Sequence, residues 1–133
     1  MANAVYPKAL KKFLDGDIDL LTNVIKVMIV DTNDETYNAA DEFMADITAA
    51  ARVGASAALD GKTTTGGVFD ANDATWAAVT GDPSECVVVY VDTGNVATDS
   101  LICWIDTWAS GNPFTPNGGG FTMQWNGSGI FSI

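Results

Sequence analysis

Histidine is absent from the sequence. Its absence removes imidazole acid–base catalysis, every Ser/His nucleophile pair and every His-bound metal. Positive charge is scarce: six Lys and Arg stand against 17 Asp and Glu, a net charge of −11. Such a chain repels nucleic acid and anionic lipid, so neither is expected as a partner. The shortage sharpens along the sequence. Lys8, Lys11, Lys12 and Lys26 lie near the start, and after Lys62 there is no Lys or Arg, against Asp70, Asp73, Asp82, Glu85, Asp92, Asp99 and Asp106. An acidic face of this kind suits docking on a basic surface and serves solubility equally well.

Long apolar runs are missing too. No stretch approaches the ~20 residues of a membrane span. Met1–Val5 runs directly into Tyr6-Pro7-Lys8 and Lys11-Lys12, so the apolar segment of a secretion signal does not form. The expectation is a soluble protein made in a cytoplasm, with no membrane partner. Cysteine appears only as Cys86 and Cys103, each inside an apolar run, which reads as two small buried core residues. A disulfide between them needs neighbouring strands in suitable geometry and is left open.

What remains is ample apolar material. The 133 residues are 47% hydrophobic and 17% charged, enough for one domain with its own core and no disulfide framework. Pro7 opens a short helix over about 7–14, with Tyr6, Leu10, Phe13 and Leu14 on one face and Asp15-Gly16-Asp17 ending it. Val24–Val30 is a β-branched run that stops at Asp31-Thr32-Asn33-Asp34. A second helix is expected over about 35–50, because Tyr37, Ala40, Met44, Ile47 and Ala51 recur at helical spacing with Asp41, Glu42 and Asp46 largely opposite.

Val53–Leu59 and Gly61–Val68 read as a hairpin around Asp60-Gly61, and Thr75–Thr80 as a further strand. Cys86–Val91 and Leu101–Ile105 are the clearest strands, joined by the polar connection Asp92–Ser100. Phe121, Met123 and Trp125 alternate with polar residues, and Asn126-Gly127 predicts a tight hairpin into a last short strand. Three strands end alike, at Val30-Asp31-Thr32, Val91-Asp92-Thr93 and Ile105-Asp106-Thr107, where Asp can bond nearby backbone and stop the strand. The expected fold is mainly β, an antiparallel sandwich or barrel with one or two short helices in its N-terminal half, over residues 1–133 as a single domain. Strands 24–30, 86–91 and 101–105 are apolar on nearly every residue, so both of their faces need cover, from helices or from another subunit.

Candidate chemistry is thin. Asp15-Gly16-Asp17-Ile18-Asp19 alternates carboxylates as a calcium loop does, but Lys26 occupies the position where a bidentate Glu is needed. It reads as a helix-ending turn, and Asp31–Glu35 and Asp70–Asp73 read as turns likewise. Paired carboxylates hydrolyse glycosides, yet among 17 scattered acids a pair carries no information. Gly118–Gly120 lacks the Lys-Ser/Thr of a phosphate loop. No enzyme activity, cofactor or metal is expected. The aromatics Trp104, Trp108, Phe114, Phe121, Trp125 and Phe131 crowd the end of the chain. Trp108 and Phe114 sit in or beside a Gly/Pro loop, and with Trp104 and Trp125 they are the candidate interface residues, sugar binding being the competing reading.

Taken together, Tyr6-Pro7-Lys8, Gly16-Asp17-Ile18-Asp19-Leu20, Ile25-Lys26-Val27, Val30-Asp31-Thr32, Tyr37-Asn38-Ala39-Ala40 with Phe43, Ala51-Arg52-Val53, Gly67–Ala71, Val88-Val89-Tyr90 with Asp92-Thr93-Gly94, Ile105-Asp106-Thr107 and Pro116–Gly119 resemble, in order and spacing, a family of small virion structural proteins of tailed bacteriophages. The C-terminal third departs from that pattern at Trp108–Phe114 and Gly127–Ile133. The resemblance implies a non-enzymatic virion component. The leading expectation is a capsid decoration (cement) protein, a homotrimer bound to the major capsid protein on the outside of the shell. The alternative is a tail- or fibre-associated component, with glycan binding as one possible role.

Overall fold

A computed structural model of the chain describes residues 3–81, 84, 86–106 and 115–132. Its centre is a five-stranded antiparallel sheet. The strands are β1 (Ala4–Val5), β2 (Ile25–Val30), β3 (Arg52–Ala58), β6 (Cys86–Val91) and β7 (Leu101–Ile105), in the order β1-β7-β6-β2-β3. Two small pairs lie beside it: β4 (Val68–Phe69) with β9 (Phe131–Ser132), and β5 (Ala74–Trp76) with β8 (Phe121–Met123). The fold is mainly β and sandwich-like, as the strand pattern predicts.

One face of the sheet presents Ile25, Val27, Ile29, Val87, Val89 and Cys103 to a core that Phe69, Trp76, Met123, Trp125 and Ile130 close from the opposite layer. The other face presents Val30, Cys86, Val88, Leu101 and Trp104, covered by Tyr6, Ala9, Met44, Ile47 and Ala51. Burying a Val, Leu or Ile fully is worth about 1.5–3 kcal/mol, so these two layers supply most of the driving force. Both faces of the doubly apolar strands are thus closed within one chain, and no second subunit is required to cover them.

The single α-helix among the described residues, α1 (Pro7–Asp15), starts with Pro at its first position and ends where Gly16 takes a left-handed φ of 80°. Asp17 N–H then donates to the Lys12 carbonyl at 2.8 Å. All three strands end just before the predicted Asp, at Val30, Val91 and Ile105, and in two of them the Asp side chain bonds the backbone beyond. Asp31 Oδ1 accepts the Asn33 N–H at 2.9 Å and Asp92 Oδ1 accepts the Gly94 N–H at 3.1 Å, the same turn two residues ahead.

Three expectations are corrected. Residues 35–50 form no second α-helix; the segment holds two single 3-10 turns, Met44–Asp46 and Ala49–Ala51, with Phe43 fully extended between β-type dihedrals. The backbone there is committed elsewhere. Met44 N–H donates to Asp99 O, Ala45 N–H to Val96 O, and Leu101 N–H to Glu42 O, each at 2.9 Å, so these groups cannot enter a helical ladder. The burial pattern survives the change, since Met44, Ile47 and Ala51 are all buried.

The Asp60-Gly61 hairpin does not form either. Residues 61–68 are mostly irregular, β3 pairs with β2, and β4 pairs with β9. The turn itself is present but is stitched to a different partner, the Asn72 amide donating to Asp60 Oδ1 at 3.0 Å. Asn126-Gly127 also turns without making a hairpin. Asn126 is the first residue of the turn, its carbonyl accepting the Gly129 N–H at 2.9 Å, and the left-handed residue is Gly129 at φ 100°.

Candidate interaction surface

Trp104 and Trp125, expected at an interface, are buried in the core at 2% and 7% exposure. Trp125 donates its indole N–H to the Asn72 carbonyl at 3.1 Å, while its backbone N–H bonds Asp73 Oδ1. Trp104 lies beneath the ring of Tyr37 at 6.2 Å, edge to face. The reason is register: Trp104 pairs with Ala4 of β1 and Val88 of β6 and points into the layer under α1. Trp108 and Phe114 lie outside the described residues.

The apolar groups that do reach solvent are at the other end of the sequence. Four of the five large hydrophobic side chains exposed among the described residues fall within positions 10–24: Leu10, Leu14, Leu21 and Val24. Leu14 is 89% exposed. Helix α1 explains two of them. Its core-facing stripe runs through Ala9 and Phe13, whose ring stacks on Phe131 at 6.1 Å, and the opposite edge is tied down by lysines. Lys8 Nζ donates to Ala40 O at 2.8 Å, and Lys12 Nζ donates to Ser100 Oγ at 2.9 Å while lying 4.3 Å from the centre of the Phe43 ring. With α1 fixed on those two sides, Leu10 and Leu14 are turned outward. Beyond the helix an open groove of about 390 Å³ runs between Phe13, Ile18, Leu20, Leu21 and Thr64.

Charge on the rest of the molecule is one-sided. All six cationic side chains are engaged within the chain: Lys8 and Lys12 as above, Lys11 with Asp15, Lys26 with Asp92 at 2.8 Å, Arg52 with Ile47 O at 3.2 Å, and Lys62 with Asn23 O at 2.6 Å. Ion pairs join Lys8 and Lys12 to Glu42, Lys11 to Asp15 and Lys26 to Asp92. With 17 acids against six cations, the excess charge is carboxylate. Several of these acids are structural. Asp46 accepts the N–H groups of Glu42 and Phe43, which hold its carboxyl below the usual range, and Asp19 is lowered the same way by Leu21 and Thr22. Asp99, buried, accepts both the N–H and the hydroxyl of Thr93 at 2.7 Å and so braces the Asp92–Ser100 connection.

The strand edges offer less. Among the described residues β1 is a two-residue edge strand, and β3 is interrupted between Val53 and Ala57, where Gly54 has φ 68° and the Ala55 carbonyl is taken by the Trp76 indole at 2.8 Å. Short, bulged and capped edges resist strand addition, which leaves side-chain docking as the mode of contact. Among the described residues no cluster of three metal-ligating side chains occurs, and no helix is long and apolar enough to cross a membrane. Compared with protein-family models and with curated proteins, the chain matches none.

Periodicity does not reveal this surface, because Leu10 and Leu14 flank Tyr6 and Phe13 on a helical wheel and share their predicted face. The signal that separates them is Ala9, the small residue that marks where the helix approaches the sheet.

Proposed function

We propose that this protein is a non-enzymatic structural component of a tailed-phage virion, a capsid decoration protein that docks on the outside of the major-capsid lattice and stabilises it. The observation that carries the reading is that the domain closes both faces of its sheet by itself and still leaves Leu14 and its neighbours on α1 in solvent. Exposed apolar side chains on an otherwise finished domain mark a contact surface. The protein's net charge of −11 favours a basic or neutral partner over an acidic one. The trimer rests on the sequence resemblance alone, since both faces of the sheet are covered among the described residues.

In this role the protein works by mass action. A clamp that bridges neighbouring capsid subunits binds only the assembled shell, and repeated attachment over the lattice multiplies a modest single-site affinity. The test is co-sedimentation of the purified protein with capsids lacking it, using the unaltered chain and Leu14→Asp. The unaltered chain should pellet with shells and Leu14→Asp should not, while both keep the same thermal midpoint within about 0.5 kcal/mol of stability. Equal binding by the two would remove α1 as the contact, and absence of binding by either would remove the decoration role.

A further inference from the structure

The sequence contains two Asn-Gly steps, Asn117-Gly118 and Asn126-Gly127, and the structure treats them differently. Both asparagines are exposed. Both fold into the same local turn: Asn117 Oδ1 accepts the Gly119 N–H at 2.9 Å, and Asn126 Oδ1 accepts the Ser128 N–H at 2.9 Å. In both, that bond draws electron density from the side-chain amide carbon and makes it a better electrophile.

They differ in the nucleophile, the backbone nitrogen of the following glycine. Gly118 N–H donates to Val79 O at 2.7 Å, so this amide is held, and Val79 N–H donates back to the next residue's carbonyl, Gly119 O, at 3.0 Å. Gly127 N–H has no such partner among the described residues, and nothing lies within 4 Å of where a Cβ on Gly127 would stand. We infer that Asn126 is a site of spontaneous deamidation in the folded protein and that Asn117 is protected by Val79.

The chemistry needs only water. The Gly127 nitrogen attacks Cγ of Asn126, a C–N bond forms, the Cγ–Nδ2 bond breaks, and ammonia leaves with the proton given up by the Gly127 amide. Water then opens the succinimide at either carbonyl, yielding aspartate or isoaspartate. At Asn117 the same attack requires the Gly118 N–H to leave Val79 first. The consequence at Asn126 is local. Its carbonyl holds the Gly129 N–H, and the next residue, Ile130, donates its N–H to Phe69 O at 2.8 Å, which seats β9 against β4. An isoaspartate lengthens the main chain by one methylene at that turn and adds a carboxylate to an already acidic protein, so ageing loosens the β4–β9 pair.

The test is to age the intact protein in mildly alkaline buffer at physiological temperature, folded and in urea, and to follow both sites by mass spectrometry of chymotryptic peptides. Cleavage after Phe114, Phe121, Trp125 and Phe131 puts the two asparagines in separate fragments. In the folded protein Asn126 should convert about two- to tenfold faster than Asn117, the factor expected for one hydrogen bond that must break, and in urea the two rates should converge. Gly127→Ala should slow Asn126 and leave Asn117 unchanged. Equal rates in the folded protein, no conversion at Asn126, or the same preference retained in urea would each overturn the assignment.

Discussion

Cys86 and Cys103 sit on neighbouring strands but on opposite faces of the same sheet. Cys103 pairs with Val89 across β6 and β7 and points into the layer closed by Trp76 and Met123, whereas Cys86 points into the layer under α1. Strand alternation forbids a disulfide between them without breaking the sheet, and both are free and buried.

Thiol titration checks this directly. The native protein should show almost no reaction with a thiol reagent, because burial pushes the Cys103 thiol up and hides both sulfurs, and two thiols should appear on unfolding. Adding reductant should leave the melting temperature unchanged. A reductant-dependent midpoint would show a bond that the register excludes.

Acid stability follows from the carboxylates. Lys26 bonds Asp92 at 2.8 Å and, with the Gly94 N–H, holds that carboxyl below its ordinary 3.8. A lowered folded pKa contributes stability that is fully present above 3.8 and is lost as pH falls through the folded value. Asp92→Asn should cost about 0.5–1 kcal/mol near neutral pH, less at high salt, and the gap to the unaltered protein should close in acid. Asp41 runs the other way. Burial, then Asp46 and Glu35, raise its carboxyl, so the folded state favours the neutral form and stability is lost as pH rises through its range. Asp41→Asn should therefore raise the midpoint at neutral pH. Denaturant melts across pH measure both.

Trp76 fastens the edge of the sheet. Its indole N–H donates to Ala55 O in the interrupted part of β3, and its ring stacks on Phe121 at 5.6 Å. Trp76→Phe should cost about 1–2 kcal/mol, from the lost bond and the carbonyl left unpaired. It should also speed amide exchange in β3 over that in β6, and equal exchange in the two strands would count against the edge role.

Much of the fold is legible in the sequence, and the reasons are local. Cys86–Val91 and Leu101–Ile105 are unbroken apolar runs between polar connections, and their observed bounds match the predicted ones. Pro7 and Gly16 mark the ends of α1 through their own backbone preferences. Residues 35–50 mislead because Met44, Ile47 and Ala51 satisfy helical spacing while buried from in and beside two separate 3-10 turns, and the bonds from 42–45 to 96–101 are invisible to periodicity. Asn126-Gly127 and Asp60-Gly61 turn where expected, but a turn does not say which strand comes next to it. The proposed contact surface is the least legible part. Aromatic content pointed to Trp104 and Trp125, which the register of β7 and the Asn72 and Asp73 bonds bury, while Leu10 and Leu14 looked like core.

The central claim, that this domain docks on an assembled capsid through α1, is tested most directly by cryo-electron microscopy of purified virions that carry it. The account predicts regular density for the domain over the whole shell, with Leu10, Leu14 and Leu21 turned toward the capsid. Density confined to the tail, or a shell-bound domain with those residues facing outward, would contradict it.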